Sequence, residues 1–301
     1  MRYLLNILRG FLMGSADVVP GVSGGTVALI LGIYERLVAS IHAGSAALGL
    51  GLRGRWADAR RRLGDVEWPL LLPLLAGIGI AVLSLASLID RLLEEQPQNT
   101  AAAFFGLVLG SIVIAWRLVR RWDSVRIGTG TAVAIVAFVV LGLRGEPVVE
   151  PSLVLFVGAG MIAIVAMILP GISGSFILLM LGMYQVVLDA VNDRDLAVVG
   201  VFLVGAVVGL ALFSTVLNHL LRTHHDTVMA ALIGLMLGSL RVLWPWPDGA
   251  DTAALSAPVD PLMPSLLALA GLAVVLVIGW MARERPATSH QPPASSLQQD
   301  D

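Results

Sequence analysis

The chain has 301 residues, 57% of them hydrophobic and only 13% charged. A soluble domain carries about 25% charged and about 45–50% apolar residues, so this composition belongs in a membrane and excludes an ordinary soluble fold. The net charge of −2 decides nothing by itself, but all 19 basic residues are Arg and there is no Cys, which excludes disulfides, thiolate nucleophiles, Cys-ligated metals and a P-loop lysine.

In chain order, the first apolar segment runs over about residues 4–40, with Pro20-Gly21 in its interior. Arg2, the apolar stretch after it and Gly14-Ser15-Ala16 resemble a signal peptide with a small-residue cleavage site. Arg9 interrupts that stretch, and cleavage would destroy a repeat described below, so the segment is expected to stay. A helix needs about 20 apolar residues to cross a hydrocarbon core of about 30 Å. Residues 68–89 and 96–116 meet that requirement, and 127–143 is a shorter candidate. Residues 151–188 carry no charge and have Pro170-Gly171 near their centre. Residues 196–221 qualify despite Asn218 and His219, residues 227–247 are the weakest span because Arg241 lies within them, and residues 261–282 close the series.

Pro followed by Gly stops a helix, so 4–40 and 151–188 are each expected to form two helical arms joined at a break. The second tip, residues 167–177, is too apolar for an aqueous loop. Non-helical backbone at membrane depth survives only when it is buried in protein or lines a cavity, so both segments are expected to be re-entrant hairpins.

The distribution of Arg tests this layout, because Lys and Arg near span ends favour the cytoplasm. Arg53, Arg55, Arg60, Arg61 and Arg62 place the first long loop inside, and Glu94 and Glu95 place the next outside. Arg117, Arg120, Arg121 and Arg126 return inside, Asp189, Asp193 and Asp195 fall outside, and Arg283 and Arg285 end inside. Had each hairpin crossed once, the acidic loop would lie inside and the last Arg pair outside.

The two tips align at an offset of 150: eight of the fifteen residues in 20–34 are identical to those in 170–184. A second match, Gly106-Leu-Val-Leu-Gly-Ser111 with Gly234-Leu-Met-Leu-Gly-Ser239, has an offset of 128. Two matches in the same order point to duplication. Three spans separate the hairpins, and an odd number inverts the second half relative to the first. The expected fold is therefore an all-α integral membrane protein. It is an inverted-repeat transporter with two re-entrant, Pro-Gly-broken hairpins plus about six transmembrane helices. One membrane domain covers 1–285, with repeat one at about 4–122, a linking helix at about 127–143, repeat two at about 151–247 and a final helix at about 261–282. A disordered cytoplasmic tail at 286–301 follows.

Pro20 and Pro170 are the expected helix breaks. Past them, Gly21, Ser23, Gly24, Gly25 and Thr26 on one tip, and Gly171, Ser173, Gly174 and Ser175 on the other, would expose helix-start N–H groups and hydroxyls to an anion. The plainer alternative is that the glycines pack and the serines cap. Asp17 sits deep in hairpin one, where a charge is costly and usually functional. It is expected to carry a coupling proton or bind a cation such as sodium, with a buried partner for backbone N–H groups as the alternative. Glu35 is a second coupling candidate. Arg36, about 22 Å past the break if the arm is one helix, would meet an anionic headgroup; a local Glu35–Arg36 ion pair is the alternative. Arg241 fits a snorkelling interfacial residue. Gly21-Val-Ser-Gly-Gly25 matches a serine nucleophile elbow literally, but that motif needs a preceding strand and a His partner. No catalytic residue, cofactor, metal or nucleic-acid partner is expected.

Residues 14–26 (Gly-Ser-Ala-Asp-Val-Val-Pro-Gly-Val-Ser-Gly-Gly-Thr), with Leu31-Gly-Ile-Tyr34 and Leu169-Pro-Gly-Ile-Ser-Gly174, resemble a bacterial membrane family linked to polyprenyl-phosphate transport, the PopT type. The resemblance covers roughly residues 5–282. It implies a translocase of the inner (cytoplasmic) membrane, both termini cytoplasmic, that returns undecaprenyl phosphate to the cytoplasmic leaflet for cell-wall polymer synthesis. Its partners would be that polyprenyl phosphate lipid and the bilayer. The residues alone leave a carrier of a small soluble anion open, and a membrane serine hydrolase as a third reading.

Overall fold

The computed structural model describes residues 2–19, 21–246 and 255–283, the last three through their backbone alone. Pro20, the end of the 227–247 span and the 286–301 tail lie outside the described residues. Thirteen helices and no strand occur among them. Hairpin one comprises α1 (Arg2–Asp17), α2 (Gly24–Ile30) and α3 (Tyr34–Leu52), followed by α4 (Trp56–Gly64), α5 (Trp68–Glu95), α6 (Pro97–Trp116) and α7 (Ser124–Val140). The second hairpin is α8 (Leu153–Ile168), α9 (Gly174–Met180) and α10 (Tyr184–Asn192), followed by α11 (Leu196–Thr223), α12 (His225–Ser239) and α13 (Leu262–Arg283). Helices α5, α6, α11 and α13 are long and apolar enough to cross a membrane, and the bent pair α9–α10 makes a fifth candidate. The chain is an all-helical membrane protein with four to five candidate spans.

Two helix starts are capped by an aspartate: Asp123 accepts from the Arg126 N–H and Asp195 from those of Ala197 and Val198. The 227–247 span is cut short, with α12 stopping at Ser239, before the charge of Arg241.

Four intimate helix pairs build the bundle, and each crosses at a Gly-x-x-x-Gly. Without a hydrophobic drive between helices in lipid, close backbone approach supplies the attraction, and only Gly permits it. A Cβ on Gly10 would lie 2.1 Å from the Leu74 carbonyl oxygen of α5, and one on Gly14 2.8 Å from the Ile78 backbone. The α8–α11 pair repeats this contact: Gly205 meets Val157 O at 2.1 Å and Gly209 meets Met161 O at 2.7 Å. Gly106 and Gly110 of α6 press on Ala268 and Leu272 of α13, while Gly234 and Gly238 of α12 press on Gly130 and Ala134 of α7. The spacing is constant: Gly10 faces Leu74, and Gly160, 150 residues on, faces Phe202, 128 residues beyond Leu74. The linking helix α7 thus packs on α12, and the final helix α13 on α6.

The exit arms differ from expectation. Each is broken a second time, so α2 and α9 are only seven residues long. Gly32 (φ +66°) and Gly182 (φ +69°) adopt the left-handed conformation that Gly tolerates and other residues rarely do. Ile33 N–H bonds Ala28 O at 3.0 Å and Gly32 N–H bonds Leu29 O at 3.1 Å, a Schellman C-cap; Met183→Leu178 and Gly182→Leu179 repeat it. At the second break the chain turns by 114° between α9 and α10. Arg36 is therefore not carried outward along one continuous helix.

Within α5, Gly77 would place a Cβ 2.0 Å from Ile7 O, whereas nothing lies within 4 Å of the same atom on Gly79. Gly77→Ala should destabilise by about 1–3 kcal/mol. Gly79→Ala should be neutral or stabilising by up to about 1 kcal/mol, since Ala is the better helix former. Thermal unfolding of the two variants checks the packing; equal effects would contradict it.

Candidate functional site

The tips of the two hairpins meet in the middle of the bundle. Ser23 is the N-cap of α2: its backbone is extended and its Oγ accepts the Gly25 N–H at 3.1 Å. The same hydroxyl donates across the junction to Leu169 O at 3.1 Å, with Met167 O farther off at 3.4 Å. Thr26 Oγ1 accepts the Gly171 N–H at 2.8 Å, and Tyr34 donates from its hydroxyl to Ile168 O at 3.2 Å. Ser23 is fully buried, and Thr26 and Tyr34 are 2% exposed. A Cβ on Gly25 would lie 2.7 Å from Ile168 O, so a larger residue there would push the tips apart. Gly21 and Gly171, at φ +83° and +87°, turn the chain at each tip. Pro170 is fully buried at the second break.

Asp17, at the end of α1, faces the start of α2. Its Oδ1 accepts the Gly24 N–H at 2.6 Å, so the first tip already holds a carboxylate at its positive end. The second tip has no counterpart. Met167 stands 150 residues after Asp17 and lies over Gly174, no side chain caps α9, and the Ser173 and Ser175 hydroxyls contact each other at 2.8 Å. Ser173 is buried and Ser175 is exposed. The partners described for Ser23 include no imidazole, and a helix rather than a strand precedes it.

Beside the first tip, α1, α2, α6 and α13 enclose an apolar cavity of about 230 Å³, walled by Ala16, Val22, Thr26, Ile30, Phe104 and Val275 among others. The Gly-x-x-x-Gly surfaces of the long helices are filled by partner backbone.

Glu35 and Arg36 do not pair with each other. Arg36 donates from Nε to both oxygens of Glu67 at 3.1–3.2 Å and from Nη2 to Glu67 Oε2. Glu35 Oε1 lies 2.9 Å from His225 Nε2. His225 Nδ1 contacts Asp226, whose carboxylate accepts the Arg120 and Arg121 N–H groups at 3.3 and 3.2 Å. The His225 hydrogen bond, those two amides and the nearby Arg126 charge hold the Asp226 carboxyl below its ordinary range. The first two Arg-rich stretches that the charge rule assigns to one side therefore meet through the start of α12. A cleft of about 460 Å³ opens there between α3, α4 and α11, bordered by Arg36, His42, Arg62, Asn218 and Arg222. Sequence reasoning reached Arg36 but missed the other four, which lie far apart along the chain.

The model of the VCA0040-like family, described as undecaprenyl phosphate translocase-like, matches residues 13–257. The chain is 42% identical over 256 residues to the polyprenyl-phosphate transporter of Vibrio cholerae serotype O1, covering 82% of this chain and 80% of that protein. It is 33% identical over 260 residues to the polyprenyl-phosphate transporter of Staphylococcus aureus, covering 80% and 86%. No solved structure gives a significant match.

The Thr26–Gly171 bond is testable by itself. Thr26→Val keeps the side-chain shape but leaves a buried N–H without its acceptor, a loss of about 1–3 kcal/mol. Thr26→Ser keeps the acceptor and should lose less. Thermal unfolding in detergent should rank wild type above Ser above Val, and a Val variant as stable as the wild type would show that the junction bond contributes nothing.

Proposed function

The chain belongs to the undecaprenyl phosphate translocase-like family, and from that membership we propose that it carries undecaprenyl phosphate across the bacterial inner membrane, returning the lipid carrier to the cytoplasmic leaflet for cell-wall polymer synthesis. The observation that carries this reading is the hydrogen-bonded junction of two broken hairpins beside an apolar cavity. Broken helices meeting at mid-membrane are where transporters bind substrate.

In this proposal the halves are inverted repeats, and both hairpins are re-entrant with both termini cytoplasmic. The recurring glycine contacts at offsets of 150 and 128 support duplication. Of the four helices between the hairpins, α4 is short and charged, and α5, α6 and the shorter apolar α7 are taken as crossings, the odd count that inverts the second half. The lipid phosphate is received at Ser173, Gly174 and Ser175, where no carboxylate competes. It then exchanges with Asp17 at Gly24 and Gly25, and the Ser23–Leu169 and Thr26–Gly171 bonds part as it passes. Gly21 and Gly171 let backbone approach the phosphate. The prenyl tail lies along the apolar cavity. Asp17 takes up a coupling proton or sodium ion when it leaves the Gly24 amide; Glu35 and Arg36 act at the cytoplasmic mouth. No bond of the lipid is made or broken, so the protein is not an enzyme.

The test is reconstitution in liposomes carrying undecaprenyl phosphate in one leaflet. Wild-type protein should equilibrate the lipid between leaflets. Asp17→Asn, nearly the same size but unable to ionise, should still bind it while losing transport driven by an ion gradient. Uptake of inorganic phosphate without movement of the lipid would make the protein a soluble-anion carrier instead. An Asp17→Asn variant with unchanged rate and pH profile would reduce Asp17 to a capping residue.

A further inference from the structure

The cleft at the Arg-rich end has its own chemistry. Its acids are all engaged: Glu35 with His225, Asp65 with Arg62 at 3.1 Å, and Glu67 with Arg36. Arg222 is exposed, and among the described residues it makes no ion pair or hydrogen bond. Thr215, Asn218 and Arg222 follow one another at helical spacing on α11 and so share a face. Thr215 Oγ1 donates to Ala211 O at 2.8 Å, so it accepts from His42 Nδ1 at 3.1 Å. That bond uses Nδ1, and Nε2 makes no described hydrogen bond on a ring that borders the cleft. The ring is held less basic than usual by burial and by the charges of Arg62 and Arg222, so this end of the cleft is electropositive.

We infer that this end of the cleft is a binding site for a phosphate dianion, with Arg222 and Asn218 on α11, Arg62 on α4 and His42 on α3 as its ligands. Arg222 supplies an unengaged planar donor fork. The Arg62–Asp65 pair is exposed, at 50% and 58%, and such pairs are held weakly enough to exchange for a better acceptor. A bound dianion offsets the two guanidiniums around His42, so the ring takes up a proton and Nε2 becomes a donor. The repeat does not supply a second such site: at the offsets of 150 and 128, His42 corresponds to Asn192, and Asn218 and Arg222 correspond to Asp90 and Glu94, which would repel an anion. The site is thus a one-sided feature of the Arg-rich end, and on the proposed transport reading it holds the headgroup there. A lipid phosphate and free inorganic phosphate offer it the same chemistry.

The intact protein in nanodiscs, with histidine isotopically labelled, tests the inference in two arms: inorganic phosphate in solution, and undecaprenyl phosphate in the bilayer. At least one ligand should shift the His42 ring resonances saturably and raise its pKa. Arg222→Gln and Arg62→Gln should each weaken that response about tenfold or more, as loss of a charge-assisted bond to phosphate does. Arg120→Gln, an equal change of charge outside the cleft, should not. Among the described residues Arg222 makes no hydrogen bond or ion pair, so its replacement should leave thermal stability unchanged. A response to the lipid alone identifies a headgroup site, and a response to inorganic phosphate identifies a free-anion site. No shift of His42 with either ligand, or full affinity in Arg222→Gln, overturns the inference. Liposome transport is read separately: a wild type that moves the lipid without the His42 response loses the site and keeps the transport reading, and the converse result does the opposite.

Discussion

Backbone polar groups exposed by a broken helix in apolar surroundings must find partners, because no water is there to supply them. Here the first broken segment answers for the second. The Gly171 amide, freed where α8 ends, is accepted by Thr26; the Leu169 and Ile168 carbonyls are met by Ser23 and Tyr34. The first tip meets its own Gly24 and Gly25 amides with Asp17 and Ser23, so it is the second tip that needs the junction. The Gly-x-x-x-Gly contacts then bring the long helices near enough to hold the tips in register. The pairing of α7 with α12 and of α13 with α6 ties the chain before α8 to the chain after it as well.

The halves share a frame but not a chemistry. At equivalent places the first carries Asp17, Glu35 and Arg36, and the second carries Met167, Gln185 and Val186. The same turns, caps and glycine contacts recur, while ionisable groups at these positions collect in one half. The carboxylate of Asp17 on the Gly24 amide, with Met167 at the equivalent place, is the clearest mark of that difference.

Much of this was legible in the sequence. Charge-free runs located the long helices to within a few residues, and Pro170-Gly171 located the second break, because both signals act through neighbours along the chain. The repeat register, 150 at the tips and 128 beyond, reappears in the glycine contacts. The second breaks at Gly32 and Gly182 stayed hidden: one Gly inside an apolar run is read equally well as a packing residue, and only the bonds to Ala28 and Leu178 make it a C-cap. Arg36 was expected beside Glu35 but joins Glu67, 31 residues away, because the Schellman turn redirects α3 toward the start of α5. The cleft was invisible for the same reason: His42, Arg62 and Arg222 become neighbours only after α11 packs on α3.

The central claim is that the junction of the tips must open for the lipid to pass. Because the chain contains no Cys, a pair introduced as Ser23→Cys and Leu169→Cys, residues in contact across the junction, supplies the only thiols, and a short reducible linker can join them. Movement of undecaprenyl phosphate between leaflets is then measured before bridging, after bridging and after reduction. The account predicts that bridging stops transport and reduction restores it. Transport at full rate through bridged tips would contradict it.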